Sequence, residues 1–330
     1  MRRFLTTSSR RPSSIRTPHL IMTDRLKRTE YYYDKDNVLQ NVVVWEFPED
    51  EKTASQPTIA SSGAAKKYWL IFIHGGAWRD PRSTFDEAQP TINALLDNAG
   101  PSTTARSRIA GFASINYRLS PHPSFTQDPG TTPAFASRAA RHPDHLADVM
   151  AALRFLRGRL GLGEDDYVLF GHSAGAFLSY QVLQHAADDG DGGDAVPLPA
   201  AVVGFEGIYD LVGLEGRTGG AYAGFIEAAF GTDRQLWSEA SPATAPGSFA
   251  GWSSSPSGGG RLAVLAHSPD DELVDLPEVD ALEGRLRRDG VPNVLVFRDL
   301  KGGHFEVLND GSFGRVLVRT LEELERLNTV

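Results

Sequence analysis

The segment YVLFGHSAGAFLSY, Tyr167 to Tyr180, restricts the fold of this chain more than any other stretch of its 330 residues. An apolar β-run passes without a linker into a small-residue helix, and Ser173 stands at the corner. A GxSxG corner holds its serine on a strained strand-to-helix turn, and its two small residues, here Gly171 and Gly175, let strand and helix approach each other. KKYWLIFIHGG is apolar on both faces, as a central strand covered by helices must be. PAAVVGFEGIYDL and GRLAVLAHSPDDELV read as further buried strands that empty into loops. In HLADVMAALRFLRGRLG, Leu146, Val149, Met150, Leu153 and Leu156 recur at helical spacing, with Gly161 as the stop. This alternation predicts an α/β chain with a mostly parallel, doubly wound sheet in one domain, residues 23–330.

VLQNVVVWEF, GFASINYRL and VPNVLVFRDL supply further strands, DEAQPTINALLDNA a helix, and Phe313 to Leu327 the last helix. Loop inserts are expected near 121–143, 188–199 and 246–260. The last two are rich in Gly, Ser and Asp and read as surface loops with little prospect of packing. Residues 1–22 read as a disordered basic tail, because five arginines precede the first acid, Asp24; a mitochondrial presequence is the alternative. A cytoplasmic location is expected on the first reading and a mitochondrial one on the second.

A formal charge of −9 removes the electrostatic reason to expect nucleic acid or an anionic membrane as partner, and a small molecule fits better. The sequence leaves a homodimer open. With no cysteine, disulfides, thiolate metal sites and Cys nucleophiles are excluded. His142, His145 and Asp148 in HPDHLAD lack a catalytic zinc spacing, and Asp148 falls on the helix expected to be buried. No phosphate-binding glycine loop is present, and no metal or cofactor is expected.

Ser173 is the candidate nucleophile. A serine hydroxyl needs a base to take its proton and a carboxylate to hold that base. His304, in KGGHFEV, follows the last predicted strand in a glycine-flexed loop at the carboxyl end of the sheet. LAHSPDDELV leaves a strand at the same edge and offers Asp270, Asp271, Glu272 and Asp275; Asp271 is preferred and Asp270 stays open. The order Ser, Asp, His is that of the α/β-hydrolase fold. In HGGAW, His74 to Trp78, paired glycines allow the amides of Gly75 and Gly76 to join that of Ala174 as oxyanion donors. His74 is read as shaping this loop. Trp78 is read as pocket wall or core cover.

Together HGGAW, SINYRL, PDHLADVMAALRFL, GHSAG, GIYDL, HSPDDELV and GGHFEV resemble the kynurenine formamidases (arylformamidases) of fungi. The resemblance runs from about Tyr31 to Leu327 without the two low-complexity inserts. It implies an α/β-hydrolase, Ser173, Asp271 and His304 as triad, HGGAW and Ala174 as oxyanion site, and N-formyl-L-kynurenine as substrate. Tyr209, Tyr222, Phe225 and Trp78 are candidate ring contacts. HGG and GHSAG alone are shared with esterases related to hormone-sensitive lipase, so a broad carboxylesterase is the nearest rival. A non-catalytic binding protein on the same fold is the third reading. The inserts near 121–143 and 246–260 depart from the family pattern and bear on substrate choice if they line the pocket.

Overall fold

A computed structural model describes residues 26–48, 65–97, 106–185, 195–253, 255 and 258–329. The basic tail and most of the 188–199 insert lie outside these residues. Eight strands form one sheet in the order β1-β2-β4-β3-β5-β6-β7-β8. They are β1 Lys27–Tyr32, β2 Asn41–Glu46, β3 Tyr68–Ile73, β4 Ile109–Ile115, β5 Tyr167–His172, β6 Ala201–Phe205, β7 Leu262–Ala266 and β8 Val294–Phe297. The β1–β2 and β2–β4 pairs are antiparallel and the others parallel.

Every residue of β5, β6 and β7 is buried, the signature of strands covered on both faces. Helices α1 (Gln89–Leu96), α2 (Asp144–Leu160) and α3 (Ala174–His185) follow β3, β4 and β5. The expected apolar stripe of α2 is buried, and Gly161 ends the helix at φ +70°. Beyond β6 come α4 (Leu211–Arg217), α5 (Ala223–Phe230) and α6 (Arg234–Ala240), then α7 (Ala250–Ser253), α8 (Pro277–Arg288) and α9 (Ser312–Asn328). On one face of the sheet α2 and α3 pack on Ile71, Ile73 and Leu169; on the other, α1 and α9 pack on Leu70, Phe72 and Phe170. Alternate residues of one strand thus serve two cores.

Two readings need correction. The insert at 246–260 is not a surface loop without packing: Phe249 and Trp252 are buried against α3, with Phe249 edge-to-face on Tyr180. The Trp252 indole donates to the Pro199 carbonyl at 3.1 Å. Two aromatics outweigh the loop-forming composition around them. β1 and α4 to α6 carried no sequence signal strong enough to read. β1 is a polar edge strand, and α4 to α6 are only seven or eight residues long, with glycines inside α4 and α5. Among the described residues no helix is long and apolar enough to cross a membrane.

Because β3 and β5 to β8 run parallel, the segments leaving their carboxyl ends gather at one edge. HGGAW follows β3, Ser173 follows β5, Asp271 lies beyond β7 and His304 beyond β8.

Candidate active site

Ser173 adopts φ +53°, a left-handed conformation that costs a residue with a Cβ roughly 1–2 kcal/mol. The surroundings fix it there. Its N–H donates to the Phe205 carbonyl at 2.9 Å, and its own carbonyl accepts from Ala176 and Phe177 as α3 begins. A Cβ at Gly171 would run into the backbone of Gly175, and one at Gly175 into the carbonyl of Ile73. Both glycines of the motif are therefore demanded by close packing. The turn leaves the amide of Ala174 at the amino end of α3, where helix amides lack intrahelical partners.

His304 is held at three points. Its Nδ1 donates to Asp271 Oδ2 at 2.8 Å, its N–H donates to Glu272 Oε2 at 3.0 Å, and its carbonyl accepts from His172 Nε2 at 2.9 Å. Gly302, at φ +94°, and Gly303, whose Cβ would collide with Glu272, explain the glycine pair before it. Of Asp270 and Asp271, it is Asp271 whose side chain is fully buried against His304, whereas Asp270 is exposed. Asp271 Oδ1 also accepts the N–H groups of Leu273 and Val274 at 2.8 and 2.9 Å. Burial works to raise the Asp271 pKa, but the hydrogen bond and charge of His304, with help from Glu206 and Val274, hold it well below the usual carboxylate range.

His74 is buried, and its Nδ1 donates to the Gly75 carbonyl at 3.0 Å. Its ring stacks on Tyr117, 4.4 Å between centroids. The Tyr117 hydroxyl lies within hydrogen-bond reach of the carbonyls of both His74 and Gly75, at 3.1 and 3.0 Å. Burial lowers the His74 pKa to about 4, so the ring is neutral. Gly76, Ala77 and Trp78 then follow in left-handed conformation, at φ +86°, +49° and +58°.

A cavity of about 220 Å³ opens at this edge. Ser173, His304, Gly76 and Ala77 line it together with Arg79, Asp80, His122, Tyr222, Phe225 and Phe305, and the Arg79 guanidinium lies over the Phe225 ring. Three of the candidate site residues, Gly75, Trp78 and Tyr209, are not in the cavity lining. Gly75 packs against Ser173, where an added Cβ would lie 3.1 Å from the serine Cβ, and its N–H bonds the carboxyl of Glu87, while Gly76 and Ala77 line the cavity. Trp78 is fully buried, edge-on to Phe177 and Phe230, and Tyr209 is fully buried against Tyr180; both belong to the core. Burial of a large ring is the commoner fate of an aromatic beside a site. A larger cavity, about 480 Å³, is built wholly from residues 121–139 and contains neither Ser173 nor His304. The 121–143 insert reaches the smaller cavity through His122, and none of the described residues of the 246–260 insert lines it.

His142, His145 and Asp148 do not assemble into a metal site. Asp148 is buried in an ion pair with Arg118 at 2.8 Å, and His145 Nε2 meets the Ser120 hydroxyl at 3.0 Å. The one group of potential metal donors found among the described residues is Glu206, His267 and Asp271. Its donors are already engaged: His267 Nε2 with the Val274 carbonyl at 2.8 Å, Asp271 with His304, and Glu206 with the Ser268 N–H. Sequence reasoning missed His172 and Glu206. The first is visible as the variable residue of GHSAG; the second has no local signal.

A serine on a strand-to-helix elbow, at the carboxyl edge of an eight-stranded, mostly parallel sheet in this order, defines an α/β-hydrolase. Solved structures agree on the fold: an esterase/lipase from an uncultured bacterium superposes with a TM-score of 0.60 at 17% identity, covering 93% of this chain and 86% of its own. No family model matches the chain. Among curated proteins, a kynurenine formamidase-like hydrolase from Fusarium equiseti is 38% identical over 251 residues, 74% of this chain and 79% of that one. A kynurenine formamidase from Aspergillus versicolor is 34% identical over 263 residues, 73% of this chain and 84% of that one. The chain belongs to the kynurenine formamidase family of hydrolases.

Proposed function

We propose that this protein hydrolyses N-formyl-L-kynurenine to L-kynurenine and formate through a formyl ester on Ser173. The observation that carries the reading is one cavity of about 220 Å³ that joins Ser173 and His304 to three aromatic side chains and the guanidinium of Arg79. That volume lies just below the roughly 300 Å³ at which sites for drug-sized ligands begin, so a single-ring substrate suits it better than a long acyl chain.

Ser173 Oγ attacks the formyl carbon while His304, oriented by Asp271, takes the hydroxyl proton. The amides of Gly76, Ala77 and Ala174 receive the oxyanion. His304 then delivers its proton to the arylamine nitrogen, the C–N bond breaks, and kynurenine leaves. Water, deprotonated by His304, attacks the formyl ester, releasing formate and restoring Ser173. Because the departing nitrogen is attached to an aromatic ring, its lone pair is partly delocalised and this amide is easier to cleave than a peptide bond. Tyr222, Phe225 and Phe305 offer faces to the ring. Arg79 suits the substrate's α-carboxylate.

The same machinery would cleave esters, and a carboxylesterase is the rival reading. Formate release from N-formyl-L-kynurenine, measured beside hydrolysis of p-nitrophenyl acetate at matched concentration, separates the two. Faster turnover of the amide supports the proposal; faster turnover of the ester overturns it.

A further inference from the structure

We infer that Glu206 is a positioning residue: a neutral carboxyl that donates its proton to Asp271 and so keeps Asp271 ionised and aimed at His304. The inference rests on reading Ser173, His304 and Asp271 as nucleophile, base and acid, but not on which substrate is cleaved.

Glu206 directly follows β6 and is fully buried, at φ +47°. A glutamate in the left-handed region is strained, and such strain persists only where the surroundings impose it. Here its N–H donates to the Ala266 carbonyl at 3.0 Å, turning the side chain toward the loop after β7. The Ser268 N–H donates to both carboxyl oxygens, at 3.0 and 3.2 Å. His267 Nε2 is 3.2 Å from Oε2, but this nitrogen lies closer to the Val274 carbonyl, at 2.8 Å, and gives its proton there. Burial keeps the His267 ring neutral. The Asp271 carboxyl packs against it too: oxygens of Glu206 and Asp271 and a ring nitrogen of His267 all lie within 4.8 Å of one another, and Asp271 is the carboxyl that Glu206 meets as a hydrogen-bond partner.

Two touching carboxyls out of water cannot both be charged, so one proton lies between them. The partners decide where it sits. Asp271 collects three donors, His304 Nδ1 and the N–H groups of Leu273 and Val274, each of which is strongest to an anion. The titratable groups facing Glu206 are Asp271 and Glu272 from the loop after β7, His267 at its start, and Tyr209 from the loop after β6. None of these supplies a positive charge. Burial, then the hydrogen bond and charge of Asp271, push the Glu206 carboxyl far above its ordinary range. Asp271 therefore holds the charge and Glu206 the proton.

This donor also limits the basicity of Asp271. Without it, Asp271 would attract the proton of His304 more strongly, stabilise the imidazolium, and move the acid limb of the pH–rate profile upward. The test compares Glu206→Leu and Glu206→Gln with the parent, after circular dichroism has shown that each folds. Profiles of kcat and kcat/KM against pH are measured on p-nitrophenyl acetate and on N-formyl-L-kynurenine. E206L is expected to lose roughly tenfold to a hundredfold in kcat, with its acid limb displaced to higher pH. E206Q, whose amide can still donate to Asp271, is expected to rescue most of kcat and return the limb to its parental position. Parental kcat and limb in E206L, or an E206Q as impaired as E206L, would overturn the inference. If E206L does not fold, E206Q decides alone, since a displaced limb contradicts a neutral donor. A parent that turns over the ester but not the amide would defeat the substrate reading, while the ester profiles still judge Glu206.

Discussion

His172 Nε2 lies 2.9 Å from the backbone carbonyl oxygen of His304, so the residue before the elbow serine anchors the loop that carries the base. The two rings are 4.6 Å apart between centroids. Burial first, and the nearby His304 second, drive the His172 pKa well below its ordinary value. A neutral ring at this place donates to the loop without repelling the imidazolium that forms on His304 during turnover.

Replacing His172 with Phe keeps an aromatic ring but removes the donor. The expected outcome is a loss of about tenfold in kcat, since misplacing a catalytic group by a fraction of an ångström is costly. KM should change little, because His172 does not line the cavity. Steady-state kinetics check this, and an unchanged kcat would show that the loop holds His304 unaided.

The neighbouring aspartates should behave very differently. Asp271→Asn removes the charge that holds His304 and is expected to lower kcat by about 10³ to 10⁴. Asp270→Asn alters an exposed side chain and should leave kcat within about twofold. Equal losses in the two variants would contradict the assignment.

Glu278 gives stability a pH dependence with a defined sign. Burial raises its pKa from 4.5 to about 7, although the N–H groups of Tyr209 and Asp210 and the Arg217 guanidinium oppose this. Between these two values the folded protein holds a proton that the unfolded chain has released. Stability therefore falls as pH rises through this window, by up to about 1.4 kcal/mol per pH unit from this group. It levels off above the folded pKa. Glu278→Gln cannot titrate, so its urea-unfolding free energy should fall less steeply between pH 5 and 7 than the parent's. Parallel curves would contradict this.

How much could be read from the chain alone depended on whether a residue's role is local. Ser173 was legible because GxSxG imposes packing on its own neighbours, and His304 because two glycines release its loop. β5 to β7 were legible because burial on both faces leaves a continuous apolar run. Asp270 and Asp271 share one loop, and only the fold decides which one meets His304. The bracing of the HGGAW loop was hidden as well, because the Tyr117 hydroxyl that reaches the carbonyls of His74 and Gly75 lies 42 positions from Gly75. Glu206 was invisible for a related reason. A carboxyl paired with a residue on another strand's loop leaves no pattern in its own.

The central claim is that the Ser173 hydroxyl carries the formyl group between amide and water. The most direct measurement is mass spectrometry of acid-quenched enzyme after brief mixing with N-formyl-L-kynurenine, with formate release followed in parallel for the parent and Ser173→Ala. A single formyl adduct is expected on the peptide containing Ser173, and a folded S173A variant should show neither adduct nor accelerated formate release. Formate release by S173A at the parental rate would contradict it.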